Sequence, residues 1–259
     1  MHDFLDTLAS DAIKSIKDGY YETTRRAAAP HLSLKDAILN SENAAVISEI
    51  KFSSPSKGAL RQVSDLKKIA RDLQLGGAVG MSILTEPKHF NGNIEFIAEV
   101  RDQVSIPILM KDIVVSTKQI DAASRIGANA ILLMQGLFGK GYCHKPVNDM
   151  VAYSHSIDLQ VLLEAHSEEE FLSALKTDAD MIGINNRDMK TLKVDLAVTR
   201  NILSKHSADD KVVVSESGID RPEDIRFLSR YGAKAFLIGT AVMKAKNIKE
   251  KVREFVEAL

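Results

Sequence analysis

The chain has almost no cysteine, no tryptophan and no excess of either charge. Of its 259 residues one is a cysteine, Cys143, and none is a tryptophan. A single cysteine excludes an intrachain disulfide, and the chain has no cysteine–histidine spacing of the kind that binds zinc. We therefore interpret Cys143 as a spectator thiol and predict no metal site.

Charge and hydropathy argue against two further classes of protein. The 34 Lys and Arg residues nearly balance the 35 Asp and Glu residues, for a formal net charge of −1, which is not typical of a nucleic-acid-binding protein. No apolar run approaches the ~18 residues that span a membrane, and residues 1–19 contain too much Asp and Lys for a signal peptide. We therefore expect no nucleic-acid or membrane partner and a cytoplasmic location.

Eight short apolar runs divide the chain at intervals of roughly 20 to 35 residues, the length of a βαβ unit. Most of the runs are nearly continuous in Val, Ile, Leu and Met, as is typical of parallel strands that are buried on both faces. The predicted strands are residues 46–50, 80–84, 106–110, 129–134, 160–164, 181–185, 211–216 and 234–238.

Helix signals lie between the predicted strands. Residues 65–77 have apolar positions at helical spacing and end on glycines. Residues 116–119 and 167–170 fit the capping box, and Pro222 marks the first turn of another helix. Strands that alternate with helices in this way form either a closed barrel or a doubly wound sheet.

The count of eight strands favours the barrel, and so does the lack of a Gly-x-Gly-x-x-Gly motif after the first strand. The length of 259 residues is also near the ~250 of a typical (β/α)8 barrel. We predict a single α/β domain over residues 1–259, a (β/α)8 TIM barrel. Residues 1–45 precede the first strand, and we expect them to form an N-terminal helical extension whose helices cover an end of the barrel.

Polar residues stand where the predicted strands end, and in a barrel these ends form the active face. An unpaired buried charge there would cost about 3–5 kcal/mol, so we expect the lysines to compensate the glutamates. A structural ion-pair network is the alternative, but convergence on one mouth is better explained by an acid–base site. The catalytic candidates are Glu49, Lys51, Lys111, Glu164, Asn185, Glu216 and Ser217.

Glycines and hydroxyl residues follow the seventh and eighth predicted strands, where barrels frequently bind phosphate. Glycine lets backbone N–H groups approach an anion, and a hydroxyl adds a donor. Arg187 either holds a second anion, such as a carboxylate, or forms a salt bridge within its loop. The predicted substrate- and phosphate-binding residues are Lys51, Ser54, Ser56, Arg187, Ser217, Gly218, Gly239 and Thr240.

These segments together resemble the indole-3-glycerol-phosphate synthase family. The likeness covers residues 46–243, and the helical extension also fits. The first and sixth strand motifs are highly specific, whereas the glycine pairs alone are not. The segments that carry it are 49–58 (EIKFSSPSKG), 85–86, 90–92, 107–112, 133–134, 163–164, 183–188 (GINNRD), 215–219 and 237–240.

The resemblance implies a reaction without a cofactor. The family converts 1-(2-carboxyphenylamino)-1-deoxyribulose 5-phosphate into indole-3-glycerol phosphate, with release of carbon dioxide and water, in tryptophan biosynthesis. The expected partner is this small phosphorylated substrate, and we expect a monomer or a weak homo-oligomer.

The resemblance also implies roles for individual residues. Lys111 or Lys51 protonates the ketone oxygen during ring closure, and the assignment of the two lysines stays open. Glu164 is the expected base or proton shuttle, and Asn185 holds a substrate hydroxyl or amine. The remaining two glutamates, Glu49 and Glu216, orient the lysines.

Two positions depart from the family pattern. Thr240 stands where serine is expected and keeps the hydroxyl donor. Ile113 stands where phenylalanine is common, and it lacks an aromatic ring to pack beside the substrate.

Two alternatives remain open at this point. One is another phosphate-binding barrel enzyme, such as phosphoribosylanthranilate isomerase, for which we would expect a cysteine near the place that Glu49 and Lys51 occupy. The other is a barrel that binds phosphorylated metabolites without turnover, or an engineered scaffold.

Overall fold

Eight parallel strands close into a barrel in a computed structural model that describes residues 3–27, 30–54, 58–61, 65–208 and 211–259. Each strand pairs with the next along the chain, and the eighth pairs with the first. The predicted (β/α)8 barrel is therefore confirmed. The strands are β1 Ala45–Ile50, β2 Gly80–Leu84, β3 Ile108–Lys111, β4 Ala130–Met134, β5 Gln160–Ala165, β6 Met181–Asn185, β7 Val212–Glu216 and β8 Ala235–Ile238.

Helices precede, separate and follow the strands. Within the described ranges, no helix has the length and apolar character needed to cross a lipid bilayer. The helices are α1 Phe4–Lys17, α2 Leu34–Leu39, α3 Leu66–Leu75, α4 Glu95–Val100 with a short 3₁₀ turn at Arg101–Gln103, α5 Thr117–Arg125, α6 Gln135–Gly139, α7 Val147–His155, α8 Glu168–Ala174, α9 Ala197–Leu203, α10 Pro222–Arg230, α11 Thr240–Lys244 and α12 Ile248–Val256.

Side chains of each strand alternate between the barrel interior and the surrounding helices. Ile47 of β1 belongs to the interior cluster, whereas its neighbour Val46 packs with the helices. Leu109, Leu162 and Val214 are the corresponding interior residues of β3, β5 and β7. These four strands alternate around the barrel, and alternate strands contribute the side chains of one interior layer.

Side chains two residues apart share a face of a strand, so the residue two positions after each of these aliphatic residues also points inward. On all four strands that residue is charged. The four residues are Glu49, Lys111, Glu164 and Glu216, and all four sit at the carboxyl ends of their strands. A layer of charges therefore lies directly above a layer of aliphatic side chains. This arrangement explains how four distant segments of the sequence reach one place.

The N-terminal extension has two helices, as expected, and they lie at opposite ends of the barrel. At the carboxyl ends of the strands, Lys140 binds α1 through Asp3 and Asp6, with 2.6 Å between its Nζ and each carboxylate. At the other end, the backbone N–H of Leu34 in α2 donates to Gln160 Oε1 over 2.6 Å, at the start of β5. The extension thus contacts both ends of the barrel rather than one.

The local helix signals are confirmed in part. Ser116 and Gln119 form the predicted capping box of α5. Ser167 caps α8 as predicted. The Glu170 carboxylate, however, accepts from the backbone N–H of His166 at 2.7 Å and not from that of Ser167, so the predicted capping box is incomplete. Pro222 does begin α10.

Candidate active site

A cavity opens at the carboxyl ends of the strands, and its volume is about 1020 Å³ when the space at its open mouth is included. Phe4 and Leu8 of α1 form part of its wall. The backbone of Ser54 belongs to a short strand, Ser53–Ser54, that pairs with Gly58–Ala59, and Ser56 falls outside the described residues. The predicted site residues that line the cavity are Glu49, Lys51, Lys111, Glu164, Asn185, Arg187, Glu216, Ser217, Gly218, Gly239 and Thr240.

Lys111 stands at the centre of the charged layer. Its Nζ lies 3.1 Å from Glu164 Oε2 and 2.8 Å from Glu216 Oε2. Asn185 Nδ2 donates to the same Glu164 oxygen over 3.1 Å. The two carboxylates are 3% and 1% exposed and the lysine side chain 16%, so the ammonium is the part of this cluster that reaches the cavity most freely.

The pKa values in this cluster are set by burial and by charge together. Burial alone would lower the pKa of Lys111, but the charges of Glu164, Glu216 and Glu49 outweigh it, so the pKa is raised and the ammonium stays protonated. Burial also acts on Glu164 and would raise its pKa. The charges of Lys111 and His166 outweigh burial, so the pKa of Glu164 is lowered and the carboxylate stays ionised. Burial dominates at Glu216 and raises its pKa. Carboxyl groups with opposite shifts are suited to different acid–base roles.

Lys51 and Glu49 form a second ion pair on the cavity wall, with 2.5 Å between Nζ and Oε1.

Two glycines make room for the carboxylates of the charged layer. A Cβ atom at Gly239 would collide with Glu49 Oε1, and one at Gly183 would collide with Glu216 Oε1. Gly239 therefore has a packing role that the sequence interpretation, which assigned it to phosphate alone, did not include.

The chain turns sharply where β7 ends. Ser217 and Gly218 both have positive φ, 67° and 86°, and Ser217 is strained there because side chains disfavour this region. Buried Asn186 stabilises the turn, since its Nδ2 donates to Glu216 O at 3.0 Å and to Ser217 O at 3.2 Å. The turn brings both predicted phosphate residues to the cavity.

Arg187 lies on the cavity wall after β6. Its Nη1 donates to Leu192 O over 3.0 Å, which ties the guanidinium to its own loop. Burial lowers the pKa of Arg187 and the charge of Glu49 opposes this, so the side chain remains a cation. A positively charged group is therefore present on the wall for a second anion.

Asp112 also lines the cavity, and the sequence analysis assigned it no role. It is buried, and its carboxylate accepts from Tyr21 Oη at 3.0 Å, from Ile113 N at 2.7 Å and from Thr85 Oγ1. Burial raises the pKa of Asp112 to about 6. Its position directly after Lys111 was visible in the sequence, but its partner in the N-terminal extension, Tyr21, was not.

His166 is the second group that sequence reasoning missed. It follows Glu164 by two residues, and its Nε2 lies 3.3 Å from Glu164 Oε1. The two-residue period of a strand could have indicated it, because it predicts that both side chains point to the same side. In the described part of the chain, this cluster included, no group of three or more His, Cys, Asp or Glu side chains is arranged to hold a metal ion.

Comparison with known proteins identifies close relatives over most of the chain. A family model described as indole-3-glycerol phosphate synthase matches residues 8–255. The enzyme of that name from Methanocaldococcus jannaschii is 46% identical over 213 residues, 82% of this chain and 77% of its own. The one from Caldanaerobacter subterraneus subsp. tengcongensis is 41% identical and covers 85% and 82% of the two chains. The Thermoanaerobacter pseudethanolicus enzyme is 37% identical and covers 95% and 88%.

Solved structures with low sequence identity share the fold. Thiamine phosphate pyrophosphorylase from Pyrococcus furiosus superposes with a TM-score of 0.59 at 17% identity, over 87% of this chain and 97% of its own. The N-acetylmannosamine-6-phosphate 2-epimerase from Clostridium perfringens also has a TM-score of 0.59 at 17% identity, with 83% and 93% covered. At this identity the likeness concerns architecture only.

Proposed function

The chain belongs to the indole-3-glycerol phosphate synthase family, and from that premise we propose that the residues of its cavity divide the family's reaction among them. The reaction closes a ring in 1-(2-carboxyphenylamino)-1-deoxyribulose 5-phosphate, removes carbon dioxide and then removes water to form indole-3-glycerol phosphate. It is a carboxy-lyase step of tryptophan biosynthesis. The observation that carries the proposal is the shared cavity, in which two lysines and three glutamates meet.

The substrate carries two anions, and the cavity offers a place for each. We assign the phosphate to Ser217, Gly218, Gly239 and Thr240, because glycines admit an anion to the backbone and the first N–H groups of α11 have no partner within that helix. We assign the benzoate carboxylate to Arg187, whose planar guanidinium matches a carboxylate. With both ends held, the ketone of the substrate lies over the charged layer.

Lys111 is the proposed acid for ring closure. The ring carbon that bears the carboxylate attacks the ketone carbon, a carbon–carbon bond forms, and the ketone oxygen takes a proton to become a hydroxyl. Lys111 is protonated and held by Glu164 and Glu216, so its proton is presented in a fixed direction. The carboxylate then leaves as carbon dioxide, and its electron pair restores the aromatic ring.

Lys51 and Glu164 are proposed for the dehydration. Lys51 protonates the departing hydroxyl, which leaves as water, and Glu49 orients the Lys51 ammonium over 2.5 Å. Glu164 is ionised and removes the proton from the neighbouring methylene carbon, which completes the indole double bond. We assign Asn185, which donates to Glu164 and lines the cavity, to a substrate hydroxyl or amine.

The remaining proposals concern the setting of the enzyme. We propose that the phosphorylated substrate is the only partner that turnover requires, that the reaction takes place in the cytoplasm, and that the chain acts as a monomer or a weak homo-oligomer. The N-terminal extension belongs to the barrel domain, because α1 supplies part of the cavity wall.

An assay with two readouts tests the function and the division of roles. The parent chain should release carbon dioxide and form a product with indole fluorescence, against a low background because the chain has no tryptophan. Lys111→Met should release neither product, whereas Lys51→Met should release carbon dioxide without indole. The reverse pattern in the two variants would overturn the role assignment. No indole from the parent, with turnover of a different sugar phosphate, would overturn the proposed function.

A further inference from the structure

His166 is a largely buried titratable group that the proposed steps do not use. It lies between the end of β5 and the start of α8, and its side chain is 11% exposed. Its Nε2 is 3.3 Å from Glu164 Oε1, but no atom in the described part of the chain meets hydrogen-bond geometry with this nitrogen. A buried polar atom without a partner costs free energy, so its retention beside the base calls for a functional reason.

The other side of the imidazole faces a second carboxylate. Glu170 Oε2 accepts from His166 N over 2.7 Å and lies 3.7 Å from His166 Nδ1. Gly136 makes room for this carboxylate, because a Cβ there would lie 2.9 Å from Glu170 Oε1. The ring is thus placed between Glu164, which reaches the cavity, and Glu170, which does not line it.

The two oxygens of Glu164 have different surroundings. Oε2 accepts from Lys111 Nζ and Asn185 Nδ2, both at 3.1 Å, so it is occupied. Oε1 lies 3.3 Å from His166 Nε2, and Glu216 also interacts with the Glu164 carboxylate. The oxygen beside the imidazole is therefore the one that accepts from neither Lys111 nor Asn185.

We infer that His166 is a positioning residue, which fixes the Glu164 carboxylate through its charge and keeps Glu164 ionised between turnovers. This inference rests on the proposed role of Glu164 as the base. His166 itself does not line the cavity, so it acts through Glu164 and not by touching the substrate. Removal of its positive charge should make Glu164 easier to protonate and leave substrate binding almost unchanged.

The charges around His166 support a protonated ring. Burial alone would lower the pKa of His166, but the carboxylates of Glu164, Glu170 and Glu216 raise it above the ordinary value. Lys111 is the opposing cation, and it lies on the far side of Glu164. Three carboxylates and one ammonium therefore face the ring from β5, α8, β7 and β3, and the carboxylates prevail.

The test is the pH dependence of kcat in three variants. In His166→Leu the acid limb of kcat should move at least one pH unit toward neutrality, which is a loss of about tenfold at pH values below the limb of the parent, with KM within twofold of the parent. His166→Gln keeps a donor but no charge, so it should shift the limb in the same way and recover more of kcat at alkaline pH. Glu170→Gln should shift it in the same direction by less.

His155→Gln is the matched control. His155 also pairs with a carboxylate, Asp180, over 2.8 Å, but it lies at the end of α7 away from the cavity, so its pH profile should match the parent. An unchanged profile in both His166 variants would overturn the inference. So would an equal loss of kcat at every pH accompanied by a raised KM, because that is the result of a packing defect. Failure of the proposed function is a separate outcome, since the parent would then form no indole.

Discussion

Two largely buried cations lie at opposite ends of the barrel, and their partners differ. Lys111 at the carboxyl ends of the strands faces two carboxylates. Arg101, before β3 at the opposite end, donates to Asn129 Oδ1 at 2.9 Å and to the carbonyls of Val104 and Ile106 at 2.8 and 2.9 Å. Neutral acceptors satisfy a cation without taking up its proton, whereas carboxylates can exchange protons. One cluster is suited to chemistry and the other only to structure.

The largest expected effect is on turnover and separates the two cations. Lys111→Met should lower kcat/KM by at least about 10²–10⁴, the contribution of one general acid. Arg101→Met should leave kcat/KM of the folded enzyme within about twofold, because no neutral acceptor of Arg101 takes part in proton transfer. Steady-state kinetics on both purified variants would measure this. Equal losses of kcat/KM in the two variants would contradict the assignment of Lys111 to catalysis and Arg101 to structure.

The next largest effect is on the free energy of unfolding, and here Arg101 is expected to matter. Arg101→Met leaves two backbone carbonyls buried without a donor and should lower the free energy of unfolding by about 2–4 kcal/mol. Urea denaturation followed by circular dichroism measures this change. A loss below about 1 kcal/mol would show that water or a neighbouring group replaces the guanidinium, and Arg101 would not have the structural role described here.

A third prediction uses pH. Burial raises the pKa of Asp112 to about 6, above its unfolded value, so its contribution to stability is present at low pH and is lost as pH rises through 6. Between pH 4 and pH 7 this loss is about 2 kcal/mol. Asp112→Asn should remove that part of the pH dependence of unfolding, and Arg101→Met should not. Parallel pH curves for the parent and Asp112→Asn would contradict the prediction.

The smallest effect comes from an exposed cation. Lys68 pairs with Asp72 on the surface of α3 over 2.5 Å, and its side chain is 63% exposed. Lys68→Ala should change the free energy of unfolding by at most about 0.5 kcal/mol, because solvent screens the pair. The same urea experiment serves as the measurement. A loss of stability as large as that of Arg101→Met would mean that burial does not determine how much a cation contributes to the free energy of unfolding.

The sequence predicted the strands and much of the charged layer for one physical reason. Glu49, Lys111, Glu164 and Glu216 each end or nearly end an apolar run, and a strand ends at the active face of a barrel. The eight strands were confirmed to within two residues at their ends. Residue type and local spacing were sufficient for these features.

The rest depended on contacts between distant segments. The opposite pKa shifts of Glu164 and Glu216 depend on burial and on the distances to Lys111 and His166, and no local pattern gives those distances. The collision that a Cβ at Gly239 would make with Glu49 is equally invisible in the sequence, so Gly239 was assigned to phosphate alone. The docking of α1 over the cavity likewise depends on tertiary packing.

The docking of α1 has a consequence for the order in which the protein can be assembled during translation. Asp3 bonds Lys140 across 137 positions of the chain. A ribosome extends the chain from its N-terminus at about 5–20 residues per second, so α1 emerges many seconds before the loop that receives it. Its apolar face, with Leu5 and Leu8, therefore has no such loop to pack against until the first four of the eight strands have been made. α1 is thus made before the loop that holds it, and its part of the cavity wall can form only after that loop has emerged.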